Sequence, residues 1–109
     1  MAETVVVAVF NTKEGKEEAL AEGLRNATEQ THKEEGCLLY ALHRDVQEPT
    51  RFALIERWRS REDLDAHLQQ PYITALGEIA GEILADPPQV HIMEPAPAGD
   101  AAKGALSGS

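Results

Sequence analysis

Residues 4–10 read Thr-Val-Val-Val-Ala-Val-Phe, a β-branched run that is apolar at odd and even positions alike. Side chains alternate between the faces of a sheet, so such a run belongs to a central strand covered on both sides. The next apolar pattern has a helical period: Leu20, Leu24, Ala27 and Thr31, preceded by Glu14, Glu17 and Glu18, with Asn11 or Thr12 available as a cap. The spacing predicts a first helix that runs to about Glu35 and stops at Gly36.

Two further strand patterns follow, residues 37–45 (CLLYALHRD) and 51–59 (RFALIERWR), and the short Pro49-containing loop between them makes an antiparallel hairpin. Ser60 can cap a short helix over 61–70, with Glu62 and Asp63 in its first turn, and Pro71 opens another helix through Leu84. Pro87 and Pro88 end that helical region, leaving residues 89–94 (QVHIME) as the last strand. The order β-α-β-β-α-β, with the second α broken at Pro71, is that of a ferredoxin-like α+β sandwich with an antiparallel sheet. Residues 1–94 form this domain. Residues 95–109 hold one large apolar side chain among Pro, Gly, Ala and Ser, the composition of a disordered tail.

In such a sandwich the helices cover only one face of the sheet. The strands nevertheless carry Leu39, Ala41, Ala53 and Ile55 alternating with Leu38, Tyr40, Phe52 and Leu54. The second apolar face is expected to be covered by a second subunit, giving a homodimer with a closed or nearly closed barrel.

Composition narrows the function. The chain has 109 residues, 42% hydrophobic and 27% charged, enough for one core. Its formal charge of −9 and its lack of a basic stripe argue against nucleic acid as a partner. The longest apolar stretch, residues 5–10, is far short of the roughly 20 residues that cross a bilayer, and no basic segment precedes it as in a signal peptide. A soluble, unprocessed, cytoplasmic protein without a membrane partner is expected. The single cysteine, Cys37, excludes an intramolecular disulfide and forms no metal-ligand spacing with histidine.

Few residues could carry chemistry. On the third strand Phe52, Leu54, Glu56 and Trp58 share a face, so a carboxylate lies between Leu54 and Trp58. Glu56 is either a rim residue paired with an Arg or the lining of a cavity, and Trp58 can be a core aromatic or a pocket wall. His67, three residues after Leu64, lies on or beside the apolar stripe of its helix. A lone histidine there is more often structural than catalytic, although imidazole titrates close enough to neutrality to move protons. His32, His43 and His91 read as structural. Gly23 in the first helix, and Gly77 and Gly81 in the last, need a compensating reason for sitting inside helices. They serve either close packing or a flat ligand lodged between helices and sheet, and Tyr72 could place a hydroxyl at the mouth of such a space.

Lys33-Glu34-Glu35-Gly36-Cys37, then Tyr40, Ile55-Glu56-Arg57-Trp58, Leu64, His67-Leu68 and Pro71 together resemble the antibiotic biosynthesis monooxygenase family of dimeric α/β-barrel proteins. The resemblance covers residues 4–94 and is nearest the quinol monooxygenase branch. Anthrone-oxidising members carry an Asn and a Tyr where this chain has Leu54 and Leu64. Haem-degrading members carry an Asn on the first strand, a Trp at the position of His67 and a His at that of Gly77. Those two chemistries are therefore not expected.

What the resemblance implies instead is oxidation of a quinol or similar electron-rich aromatic by dioxygen, with no flavin or metal cofactor. The alternatives are isomerisation of a small hydroxyketone, or a non-catalytic dimeric module that binds a metabolite. In the oxygenase reading His67 transfers the proton and Glu56 orients a polar group. Trp58 and Tyr72 form the wall and mouth of the slot, and Leu54, Leu64, Gly23 and Gly77 complete the substrate-binding surface.

Overall fold

The computed structural model describes residues 3–106. Its elements are β1 (Thr4–Asn11), α1 (Glu17–Thr31), β2 (Cys37–Arg44), β3 (Arg51–Trp58), α2 (Arg61–Leu68), α3 (Pro71–Ile83) and β4 (Gln89–Met93). The four strands form one antiparallel sheet in the order β2-β3-β1-β4. The fold is thus α+β and ferredoxin-like, with the all-apolar β1 inside the sheet.

The helices pack on the face that carries Val6 and Ala8 of β1 and Phe52, Leu54, Glu56 and Trp58 of β3, all buried. Helix α1 buries Leu20, Ala21, Leu24, Ala27 and Thr31 against them, one stripe at the 3.6-residue period. Full burial of side chains such as Leu24 and Leu54 contributes about 1.5–3 kcal/mol each, so this layer holds the domain together. The opposite face carries Val5, Val7, Val9, Ala53 and Ile55, all half-buried, and no helix covers it.

The start and the end of α1 differ from the sequence expectation. Asn11 ends β1, while the Thr12 N–H donates to Thr50 O at 2.9 Å and Thr12 bridges Leu84, so neither residue caps the helix. Gly15 turns the chain with φ 88°, and Lys16 precedes the helix without a side-chain cap. At the other end α1 stops at Thr31 rather than near Glu35. The N–H groups of Lys33 and Glu34 turn back to Gln30 O and Thr31 O, three residues earlier, which tightens the last turn and frees residues 32–36 as a loop.

A second departure lies in β2. Cys37 pairs with Trp58 but Leu39 pairs with Arg57, so Leu38 is an extra residue in a bulge and is exposed rather than on the core face. The bulge puts both Cys37 and Tyr40 on the helix-covered side, beside their partners Trp58 and Glu56.

Ser60 caps α2, accepting from the Asp63 N–H at 3.2 Å, and Pro71 stands in the first turn of α3. Within residues 95–106 a turn closes on Asp100, whose carbonyl accepts from Lys103 and Gly104. This segment lies beside Val5 and Met93, at one end of the uncovered face. Positions 107–109 of the expected tail lie outside the described residues.

Candidate active site

An apolar cavity of about 190 Å³ opens between the sheet and helices α2 and α3. Its floor includes Val6, Ala8 and Leu54, its helical wall includes Leu64, Leu68, Leu76 and Gly77, and Val90 and Ile92 of the edge strand form its rim. Only three of the side chains lining it are polar: Glu56, His67 and Tyr40.

His67 is buried with 2% of its surface exposed because it leaves α2 toward the sheet, three residues beyond buried Leu64. Its ring lies against the Trp58 indole with centroids 4.6 Å apart, and Tyr40 meets it edge-on at 5.6 Å. Its Nδ1 is 2.8 Å from Glu34 Oε2. The same carboxylate oxygen accepts from the Tyr72 hydroxyl, which lies 3.1 Å from Thr31 Oγ1. Thr31, Glu34, His67 and Tyr72 thus form a polar chain beside an apolar cavity.

Glu56 accepts from Trp58 Nε1 at 2.9 Å through Oε1. Burial drives its carboxyl up to about 7, and the Trp58 hydrogen bond opposes this only in part. Burial, reinforced by Glu56, also holds Tyr40 far above the ordinary phenol range, and burial with the Glu34 hydrogen bond does the same for Tyr72. Both phenols therefore remain proton donors at neutral pH. Cys37 is pushed up to about 11 by burial and then by Glu34 and Glu56, which makes it a poor nucleophile.

Every fully buried side-chain nitrogen or oxygen among the described residues has a hydrogen-bond partner. His67 Nε2 and Glu56 Oε2 have none, so neither atom is fully buried, and both belong to side chains that line the cavity. One cavity is therefore lined by an imidazole with an unpartnered nitrogen and a carboxyl with an unpartnered oxygen.

The structure brings Leu54, Leu64, Gly77, Glu56 and His67 together on this cavity. Trp58 is fully buried behind His67 and supports it rather than facing the space. Tyr72 does not line the cavity, and its ring meets His67 edge-on with centroids 6.2 Å apart. Gly23 lies at the α1–α3 contact, where an added Cβ would be 3.2 Å from Leu76 Cδ1. A Cβ at Gly77 would meet nothing within 4 Å, so this glycine leaves open space. Glu34 stands in the 33–37 stretch that carries the family resemblance, but nothing in the sequence pairs it with His67. Of the other histidines, His32 Nε2 lies 3.0 Å from Tyr40 O and His43 Nδ1 lies 3.1 Å from Ala41 O, both backbone contacts.

A larger cavity of about 480 Å³ lies between Val5, Met93 and the 95–106 segment, and among the described residues its only ionisable lining groups are Glu3 and Glu94. Glu3 is already engaged by Arg57, so this space lacks a free acid–base pair. Among the described residues no three His, Cys, Asp or Glu side chains are grouped to hold a metal ion, and no helix is long and apolar enough to cross a membrane.

The family model described as "Antibiotic biosynthesis monooxygenase" matches residues 4–78, which includes β1 and the residues of the His67 cluster. The chain belongs to the antibiotic biosynthesis monooxygenase family. A curated relative, the uncharacterized protein sll1783 of Synechocystis, is 32% identical over 88 residues. That match covers 81% of this chain but 60% of the relative, so the chain spans about three fifths of that protein's length. The crystal structure of Rv0793 from Mycobacterium tuberculosis is 30% identical with a TM-score of 0.82, covering 92% of this chain and 99% of the other. A crystal structure of an antibiotic biosynthesis monooxygenase is 28% identical with a TM-score of 0.81, covering 86% of this chain and 99% of the other. The two solved structures share the sandwich on which this chain builds its cavity.

Proposed function

We propose that this protein is a cofactor-independent monooxygenase that oxidises a quinol or similar electron-rich aromatic with dioxygen. The observation that carries the reading is His67, whose Nε2 has no hydrogen-bond partner, on the lining of a largely apolar cavity. Membership of the family and likeness to a structure described as a monooxygenase support it. The cavity, at about 190 Å³, is below the roughly 300–1,000 Å³ of drug-sized ligand sites, which favours a small substrate.

In this mechanism His67 Nε2 takes the proton of a quinol hydroxyl, and the electron pair of the O–H bond stays on the ring oxygen. The electron-rich anion passes one electron to dioxygen, the two radicals combine at a ring carbon to a peroxide that takes the proton back from His67, and loss of that carbon's C–H proton with cleavage of the O–O bond releases water and leaves the oxygenated ring. The apolar walls exclude bulk water from the intermediate. Glu56, held to Trp58 through Oε1, meets the substrate's other polar group with Oε2.

The site works in a homodimer. Val5, Val7 and Val9 of β1 with Ala53 and Ile55 of β3 form an apolar sheet face that this chain's helices leave bare, and a second copy of the sheet is its cover. Sedimentation at micromolar concentration is expected to give a dimer, and a monomer would reject this assembly. The expected location is the cytoplasm.

The test of function is oxygen uptake by the purified, metal-free protein with reduced naphthoquinols and hydroxylated aromatics, corrected for autoxidation. Uptake above background that falls about 10²-fold or more in His67→Ala supports the assignment, and unchanged turnover rejects His67 as the base. The pairing of a base with Glu56 in one cavity also suits proton transfer between the carbons of a small hydroxyketone. Such an isomerase would turn over without oxygen, whereas binding without turnover would mark a metabolite-binding module.

A further inference from the structure

We propose that Glu34 is the positioning residue of the site, fixing His67 in the tautomer that carries its proton on Nδ1 and presents a bare Nε2 to the cavity. The inference rests on the reading of His67 as a base, but the tautomer itself can be measured without any substrate.

The hydrogen-bond pattern carries it. Tyr72 donates its only proton to Glu34 Oε2, and a carboxylate has no proton to give back. The 2.8 Å contact between that oxygen and His67 Nδ1 therefore requires the proton to be on Nδ1. Nε2 is left with its lone pair toward the cavity. When Nε2 accepts the substrate proton, the new imidazolium keeps its Nδ1–H donated to Glu34, so the positive charge forms beside a fixed carboxylate.

Three features hold that carboxylate in place. The tight turn after α1 brings Glu34 back under the helix end, with its N–H on Thr31 O at 2.9 Å. Gly36 lets the loop approach α2 closely, since an added Cβ would fall 2.5 Å from Asp63 Cβ. Tyr72, whose hydroxyl lies 3.1 Å from Thr31 Oγ1, holds the shared oxygen by donating to it. Glu34 does not line the cavity, so it acts through His67 and not on the substrate.

The experiment is ¹⁵N NMR of the imidazole nitrogens in the full chain, with the His67 signals assigned by their loss in His67→Gln. Wild-type protein above the imidazole titration is expected to show Nδ1 protonated and Nε2 bare, and a protonated Nε2 would overturn the proposal. In Glu34→Ala the acceptor for the Nδ1 proton is gone, so the proton is expected to move to Nε2 and kcat for the quinol to fall on the order of 10²-fold with KM little changed. A folded variant that keeps the wild-type tautomer would also overturn it. Tyr72→Phe leaves the Glu34–His67 pair in place and is expected to retain the wild-type tautomer; reversal there would assign the positioning to Tyr72 instead. If Glu34→Ala does not fold, the wild-type and Tyr72→Phe spectra still decide. Absence of oxygen uptake by wild-type protein, together with the Nδ1–H tautomer, would discard the oxygenase reading and leave the role of Glu34 standing.

Discussion

Trp58 Nε1 donates to the carboxylate of Glu56, two residues back on the same face of β3, at 2.9 Å, and both side chains are buried. This bond offsets only part of the burial that lifts the Glu56 carboxyl from its ordinary 4.5 to about 7. Between those values the folded protein holds a proton that the unfolded chain releases. Stability from this group is therefore intact below about pH 4.5, declines as pH rises, and is constant above about 7, a loss on the order of 3 kcal/mol at most. Lowered carboxyls such as Asp45 and Asp63 act in the opposite sense, but only at more acidic pH. Glu56→Gln keeps an acceptor for Trp58 and cannot ionise. Thermal melts from pH 5 to 8 are expected to fall for wild-type protein and to stay nearly flat for the variant, and parallel curves would refute the assignment.

Replacing Trp58 by Phe retains most of the apolar volume behind His67 but removes the indole donor. Glu56 Oε1 then loses its only hydrogen-bond partner in the core, which costs about 1–3 kcal/mol and raises the carboxyl further. Urea unfolding followed by circular dichroism measures the loss, since Trp58 is the sole tryptophan and its fluorescence disappears with it. A variant as stable as wild type would show that the bond contributes nothing.

Gly77 and Gly81 separate packing from cavity space. A Cβ at either position meets nothing within 4 Å, so each Gly→Ala change is expected to stabilise α3, by up to about 1 kcal/mol. Gly77 lines the cavity beside His67, whereas Gly81 does not. Gly77→Ala should thus raise KM for a ring substrate while Gly81→Ala leaves it unchanged. Equal effects on KM would place the substrate elsewhere.

Gly36 behaves in the opposite way. Its added Cβ would press into the Asp63 side chain, which Arg59 and Ser60 hold in place at 2.9 Å each. Gly36→Ala is expected to destabilise by about 1–3 kcal/mol and to displace the loop that carries Glu34. A melting temperature equal to that of wild type would show that α2 yields freely there.

The order of elements, the central place of β1, the Ser60 cap and the break at Pro71 were all legible in the sequence, because each follows from local chemistry: side-chain periodicity, a capping hydroxyl, a missing N–H. The shared face of Leu54, Glu56 and Trp58 was legible for the same reason. The end of α1, the bulge at Leu38 and the partner of His67 were not. The apolar stripe ends at Thr31, but residues 32–35 carry no stop signal before Gly36, and only the return of the chain to β2 decides where the last turn tightens. The one-residue bulge reverses side-chain facing without leaving a mark in an apolar strand. Glu34 and His67 are 33 residues apart, and the carboxylate that meets the ring is chosen by how the loop before β2 packs on α2. The sequence by itself determined which groups are available, while the tertiary structure decided which of them touch, because contact across the core depends on packing between elements and not on neighbours in the chain.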